Sequence, residues 1–87
     1  MAKNHVFSIT GELLDEYYDN GRAKIAVLSN NNYFTFDITE LPTFKNDALY
    51  ATSGVHLYIG DYINVYGNII SVSGNVVLVP EAVNKTL

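Results

Sequence analysis

Residues 60–69 read Gly60-Asp61-Tyr62-Ile63-Asn64-Val65-Tyr66-Gly67-Asn68-Ile69, with Ile63, Val65 and Ile69 on one parity and Tyr62, Asn64, Tyr66 and Asn68 on the other. Successive side chains of a strand point to opposite faces, so this spacing predicts a strand with aliphatics toward a core and a Tyr/Asn row outside. Similar alternation recurs upstream. Residues 5–17 read as a first strand, with Val6, Ser8 and Thr10 against Phe7 and Ile9. Gly11 marks a bulge or bend within it. Asp19-Asn20-Gly21 is a hairpin signal, because Asn and Gly accept positive φ. Residues 22–28 form the next predicted strand. Its two parities, Ala23/Ile25/Val27 and Lys24/Ala26/Leu28, are both largely apolar, so the pattern leaves open which faces inward. After a turn at 29–32, residues 33–38 place Phe34, Phe36 and Ile38 on one face of a third strand.

Residues 39–57 break this rhythm. Pro42 stands near the start, and residues 46–51 predict one or two turns of helix capped by Asn46 or Asp47, with Gly54 closing it. The Tyr/Asn strand then runs over 61–72. Ser73-Gly74-Asn75 turns it into a fifth strand at 76–79, which Pro80 is expected to end. Residues 81–87 carry little packing pattern and are expected to form a flexible tail. No repeat or linker divides the chain, so residues 1–87 are expected to form one domain.

Composition narrows the classes. At 87 residues, 48% hydrophobic and 16% charged, the chain is too apolar for disorder and too interrupted for a membrane span. It contains no cysteine, which excludes disulfides and thiolate metal sites. The first residues lead into Val6-Phe7-Ser8-Ile9 without the apolar core of a secretory signal, so a cytoplasmic location is expected. Net charge is −4. Four of the nine acids, Glu12, Asp15, Glu16 and Asp19, fall in one short stretch, against only Lys3, Arg22, Lys24, Lys45 and Lys85 in the whole chain.

Three strands with a glycine-bent first member, a short helical connection and two more strands resemble the OB fold. The run Gly60-Asp61-Tyr62-Ile63-Asn64-Val65-Tyr66-Gly67-Asn68-Ile69, followed by Gly74-Asn75-Val76-Val77-Leu78-Val79, is similar to the "G-D-x-V-x-V-x-G-x-V, then G-x-x-x-L" run of many OB-fold nucleic-acid-binding modules. The resemblance covers about a quarter of the chain. It implies an all-β, five-stranded Greek-key barrel with a short helix between strands three and four. It also implies a single-strand-binding face over strands two and three, flanked by the loops joining strands one to two and four to five. On this chain those positions are Arg22, Lys24, Tyr33 and Thr35, with Tyr17, Tyr18, Asn20 and Asn75 in the loops. The acidic first loop departs from the positive groove of typical single-strand binders.

Two functions from different classes follow as expectations. The first is a small non-enzymatic protein that binds single-stranded nucleic acid, with Tyr33, Tyr17 and Tyr18 stacking on bases and Arg22, Lys24 and Lys45 meeting phosphates. The second is an acidic protein-interaction module, as in a phage or plasmid accessory protein. It would present the Tyr62-Asn64-Tyr66-Asn68 row or the acidic hairpin to a partner or to a second copy of itself. The same row equally suits ordinary cross-strand packing. His5 and His56 stand far apart with no ligand spacing, so no metal or cofactor is expected. No nucleophile elbow, triad or phosphate loop is recognisable, so no enzyme is expected either.

Overall fold

The computed structural model describes residues 5–86. Seven strands follow one another: β1 (Val6–Asp19), β2 (Arg22–Ser29), β3 (Asn32–Asp37), β4 (Phe44–Lys45), β5 (Ala48–Leu49), β6 (Tyr62–Val72) and β7 (Asn75–Lys85). Five of them make one antiparallel sheet in the order β3-β2-β1-β6-β7, and β4 and β5 pair separately as a small hairpin. Hence β1 is the central strand, and β3 and β7 are the two edges.

The sheet coils because two glycines let backbones meet. A Cβ on Gly11 would stand 2.2 Å from the Leu28 carbonyl oxygen, and one on Gly67 would stand 2.0 Å from that of Val79. Bulges beside these contacts add twist. On β1 the pairing passes from Leu13↔Val27 to Asp15↔Ala26, leaving Leu14 over; on β7 it passes from Ala82 to Pro80, leaving Glu81 over. Coiling brings β3 and β7 near each other, but no ladder of hydrogen bonds joins them. The expected barrel is therefore not closed.

Inside the coil, β2 buries Ala23, Ile25 and Val27, which settles the parity that the sequence left open. Phe36 of β3 stacks on Phe7 of β1 with ring centroids 5.6 Å apart, and Ile63, Val65 and Val83 close the far side. Residues 38–57 cap one end of this core with Ile38, Leu41, Leu49, Ala51 and Leu57. Burial of each such aliphatic side chain is worth about 1.5–3 kcal/mol.

Three expectations need correction. Residues 46–51 do not form a helix: Asn46 and Asp47 take φ of +56° and +58°, a pair of left-handed residues that turns β4 into β5. No helix occurs among the described residues. Pro80 does not end the last strand, because it sits at the β7 bulge, where a ladder donor is dispensable. The expected tail continues β7 through Lys85: Val83 is fully buried opposite Val65, and Thr86 N–H donates to the Tyr62 carbonyl at 2.8 Å.

Gly60-Asp61 has a definite mechanical role. Gly60 takes φ of +96°, and the Asp61 carboxylate accepts the Tyr58 N–H at 2.9 Å, forming a tight turn. That turn docks on β1 at its bulge: Gly60 N–H donates to the Leu13 carbonyl at 2.7 Å, and Leu13 N–H donates to the Asp61 carbonyl at 2.9 Å. The turn thereby supplies partners for Leu13 on the β6 side of β1, one residue beyond the last β1–β6 pair, Glu12↔Tyr62.

Candidate binding surfaces

The outer face of β6 carries Tyr62, Asn64, Tyr66 and Asn68 as the alternation required, with Ile63 and Val65 wholly buried beneath. Register sets their neighbours on β1: Glu12 opposite Tyr62, Thr10 opposite Asn64, Ser8 opposite Tyr66 and Val6 opposite Asn68. The two amides are engaged laterally. Asn64 Nδ2 donates to Ser8 Oγ at 2.7 Å and to Thr10 Oγ1 at 2.9 Å, and Asn68 Nδ2 donates to the Glu81 carboxylate. These bonds lock the amides into the sheet surface and leave the rings free. Tyr62 is 55% exposed and Tyr66 42%, separated along the strand by about 13 Å. The surface is broad and aromatic, with the carboxylates of Glu12 and Glu81 at its margins. On the same parity it continues into the exposed aliphatics Ile70 and Val72 of β6, flanked by Val77 and Val79 of β7.

The outer face of β2 and β3 differs. Across the ladder Lys24 faces Asp37, Ala26 faces Thr35 and Leu28 faces Tyr33; β1 adds Asp19 beside Arg22, Tyr17 beside Lys24 and Asp15 beside Ala26. Tyr33 is 73% exposed. Arg22 is paired internally: its Nε lies 2.9 Å from Asp37 Oδ2, its Nη2 3.3 Å from Asp37 Oδ1 and its Nη1 3.3 Å from Glu40 Oε1. Partial burial pushes the Asp37 carboxyl up, but bonds from Arg22 and Thr39 outweigh it and hold its pKa at about 2. Three acids, Asp15, Asp19 and Asp37, thus share this face with two cations, one of them bound internally.

The residues expected to meet nucleic acid do not form one groove. Arg22, Lys24, Tyr33, Thr35 and Tyr17 lie on the outer side of the first three strands, as their register shows. Tyr18, of opposite parity, turns toward the β4–β5 hairpin, where its hydroxyl donates to the Asp47 carboxylate and its ring meets Phe44 at 6.5 Å. That hydrogen bond pushes the Tyr18 phenol up from its ordinary value. Lys45 also belongs to this hairpin, with its ammonium 6.0 Å from the centre of the Tyr50 ring.

Two features escaped the sequence reading. His56 is packed edge-on between Tyr50, at 5.1 Å, and Tyr58, at 4.2 Å, with its Nδ1 buried and unpartnered among the described residues. A cleft of about 190 Å³ lies where the end of the β1–β2 hairpin meets the β4–β5 hairpin; its lining includes Glu16, Tyr18, Lys24, Ile38, Phe44 and Asp47. Sequence spacing signals neither, since both depend on how residues 39–57 fold back. Among the described residues no group of three or more His, Asp or Glu is placed to hold a metal ion, and no helix is long and apolar enough to cross a membrane.

No family model, curated protein or solved structure matches this chain.

Proposed function

We propose that this chain is a non-enzymatic binding module of OB-like build whose working surface, the outer face of β6, receives a protein partner. The supporting observation is the Tyr62–Tyr66 surface itself: two exposed rings on a face whose amides are already hydrogen-bonded and which carries no cation, with Glu12 and Glu81 at its margins. Aromatic, charge-poor patches are what protein interfaces enrich, since a tyrosine brings large contact area at small entropic cost. Binding there desolvates few charges. Truncating a ring at the centre of such an interface costs about 2 kcal/mol or more. Affinity capture from source cells with Tyr62→Ser/Tyr66→Ser as bait should therefore lose a partner that the wild type retains, at unchanged melting temperature. Retention of every partner by the double variant would overturn this reading.

A second reading is single-stranded nucleic acid bound over β2 and β3. Its support is the strand order β3-β2-β1-β6-β7, which suits a partly open OB barrel, together with the high exposure of Tyr33 on the face that such barrels use. The acids weigh against it, because phosphate binding relies on released counterions and hence on free cations. Anisotropy of a labelled oligothymidine at low salt decides between the two: micromolar binding that weakens steeply with salt and is lost in Tyr33→Ala favours nucleic acid.

A further inference from the structure

The cleft between Tyr18 and the β4–β5 hairpin combines three properties. Its floor is apolar, through Ile38 and Phe44. Two rings, Tyr18 and Phe44, stand 6.5 Å apart at 59° and form an open angle rather than a closed stack. Its rim carries two carboxylates, Glu16 and Asp47. Asp47 accepts one bond, from the Tyr18 hydroxyl, while Glu16 has no hydrogen-bond or ion-pair partner among the described residues. Burial, opposed by His56 and reinforced by Asp15, pushes the Glu16 carboxyl up from its ordinary value.

We infer that this cleft receives an arginine side chain of a protein partner, its guanidinium on the ring faces and its N–H groups toward Glu16 and Asp47. The proposal rests on reading the chain as a protein-binding module and names the chemistry of one contact away from the β6 face. Charge complementarity selects the occupant. The chain carries −4 overall, and Asp15 and Asp19 stand on the same hairpin, so the local field draws a cation. A guanidinium suits the site better than an ammonium, because its planar fork can stack on a ring while donating to carboxylates. A volume of about 190 Å³ admits one side chain and not a folded segment. Lys24, which also lines the cleft, is the internal competitor: it partly neutralises the rim while the cleft is empty.

The test is a two-dimensional NMR titration of the full chain with the peptide acetyl-Gly-Arg-Gly-amide and with its citrulline counterpart, an uncharged isostere. The arginine peptide should shift the amides of Glu16, Tyr18 and Asp47 saturably and bind at least tenfold tighter than the citrulline peptide. Glu16→Gln should weaken the arginine peptide at least fivefold. Lys24→Ala should strengthen it two- to fivefold, the reverse of what a phosphate-binding role for Lys24 requires. Equal binding of both peptides, or unchanged affinity in Glu16→Gln, overturns the proposal. Either failure leaves the Tyr62–Tyr66 capture experiment untouched, because those side chains lie on a different face.

Discussion

The two outer surfaces of this sheet both expose tyrosines, Tyr33 more than Tyr62 or Tyr66, and differ in what surrounds them. Around Tyr62 and Tyr66 the amides are bonded sideways within the sheet, one of them to the Glu81 carboxylate, and the only charges are the acids Glu12 and Glu81 at the margin. Around Tyr33 the background is charged, and its most capable donor, Arg22, is spent on Asp37 and Glu40. Exposure of an aromatic ring is therefore a poor guide to its ligand; the state of the neighbouring polar groups decides. Where the amides are already hydrogen-bonded and charges lie only at the margin, a partner finds area at little desolvation penalty. Where cations are paired internally, a polyanion must first break those pairs.

The comparison can be broken most severely at the glycines that bring both surfaces onto one coiled sheet. Gly67→Ala places a Cβ 2.0 Å from the Val79 carbonyl, so β6 and β7 must separate; a loss of about 3 kcal/mol or a failure to fold is expected in urea denaturation. Ile63→Ala, which empties a fully buried site beneath the Tyr/Asn row, should cost about 2–4 kcal/mol by the same measurement. Asn64→Ala removes two hydrogen bonds that hold the amide flat and should cost about 1 kcal/mol, with a drop in hydrogen-exchange protection along β1 and β6.

Asp37→Asn probes the charged surface. The carboxyl is held at about 2, below its ordinary 3.8, so its ionised form is favoured by folding. That contribution is present above about pH 4 and is lost as pH falls toward 2. Since the Arg22 and Asp37 side chains are 46% and 34% exposed, solvent screening reduces it to about 0.5–1 kcal/mol. Thermal melts of wild type and Asp37→Asn should differ by that amount at pH 7 and converge near pH 2. Freeing Arg22 this way should also raise oligothymidine affinity severalfold if the β2–β3 face is held back by internal pairing. The smallest effect is expected from Tyr33→Ala, under 0.5 kcal/mol in the same melts, because its ring packs against little.

Much of the sheet was legible because strand period, turn chemistry and glycine placement are local. Asp19-Asn20-Gly21 turns β1 into β2, with Asn20 at φ +53° and Gly21 at +76°, and the Ser73-Gly74 pair, also at positive φ, turns β6 into β7. Gly11 was recognisable as a distortion, although the bulge itself falls at Leu14. Residues 46–51 misled because Asn and Asp cap helices and also populate left-handed turns; the left-handed pair won once Leu49 and Leu57 had a core to enter. The last strand ran past Pro80 because a bulge excuses the missing N–H, a circumstance that only the facing strand reveals.

The candidate surfaces were legible in unequal measure. The Tyr/Asn row follows from parity alone, and the structure places it outward. The grouping of Arg22, Lys24, Lys45, Tyr17, Tyr18 and Tyr33 does not, since Tyr17 and Tyr18 diverge and Arg22 finds Asp37 fifteen residues away. The cleft over Phe44 has no linear signature at all.

By itself, then, the amino-acid order determined an all-β chain, the aliphatic and aromatic sides of β6, and the tight turns, because backbone sterics and side-chain alternation act over a few residues. Tertiary structure alone decided that the sheet stays unclosed, that Arg22 is spent on Asp37 and Glu40, and that Glu16, Tyr18, Phe44 and Asp47 meet around one cleft. Charge pairing and cavity shape depend on distances between residues far apart in the chain, and those distances exist only once the core has been buried.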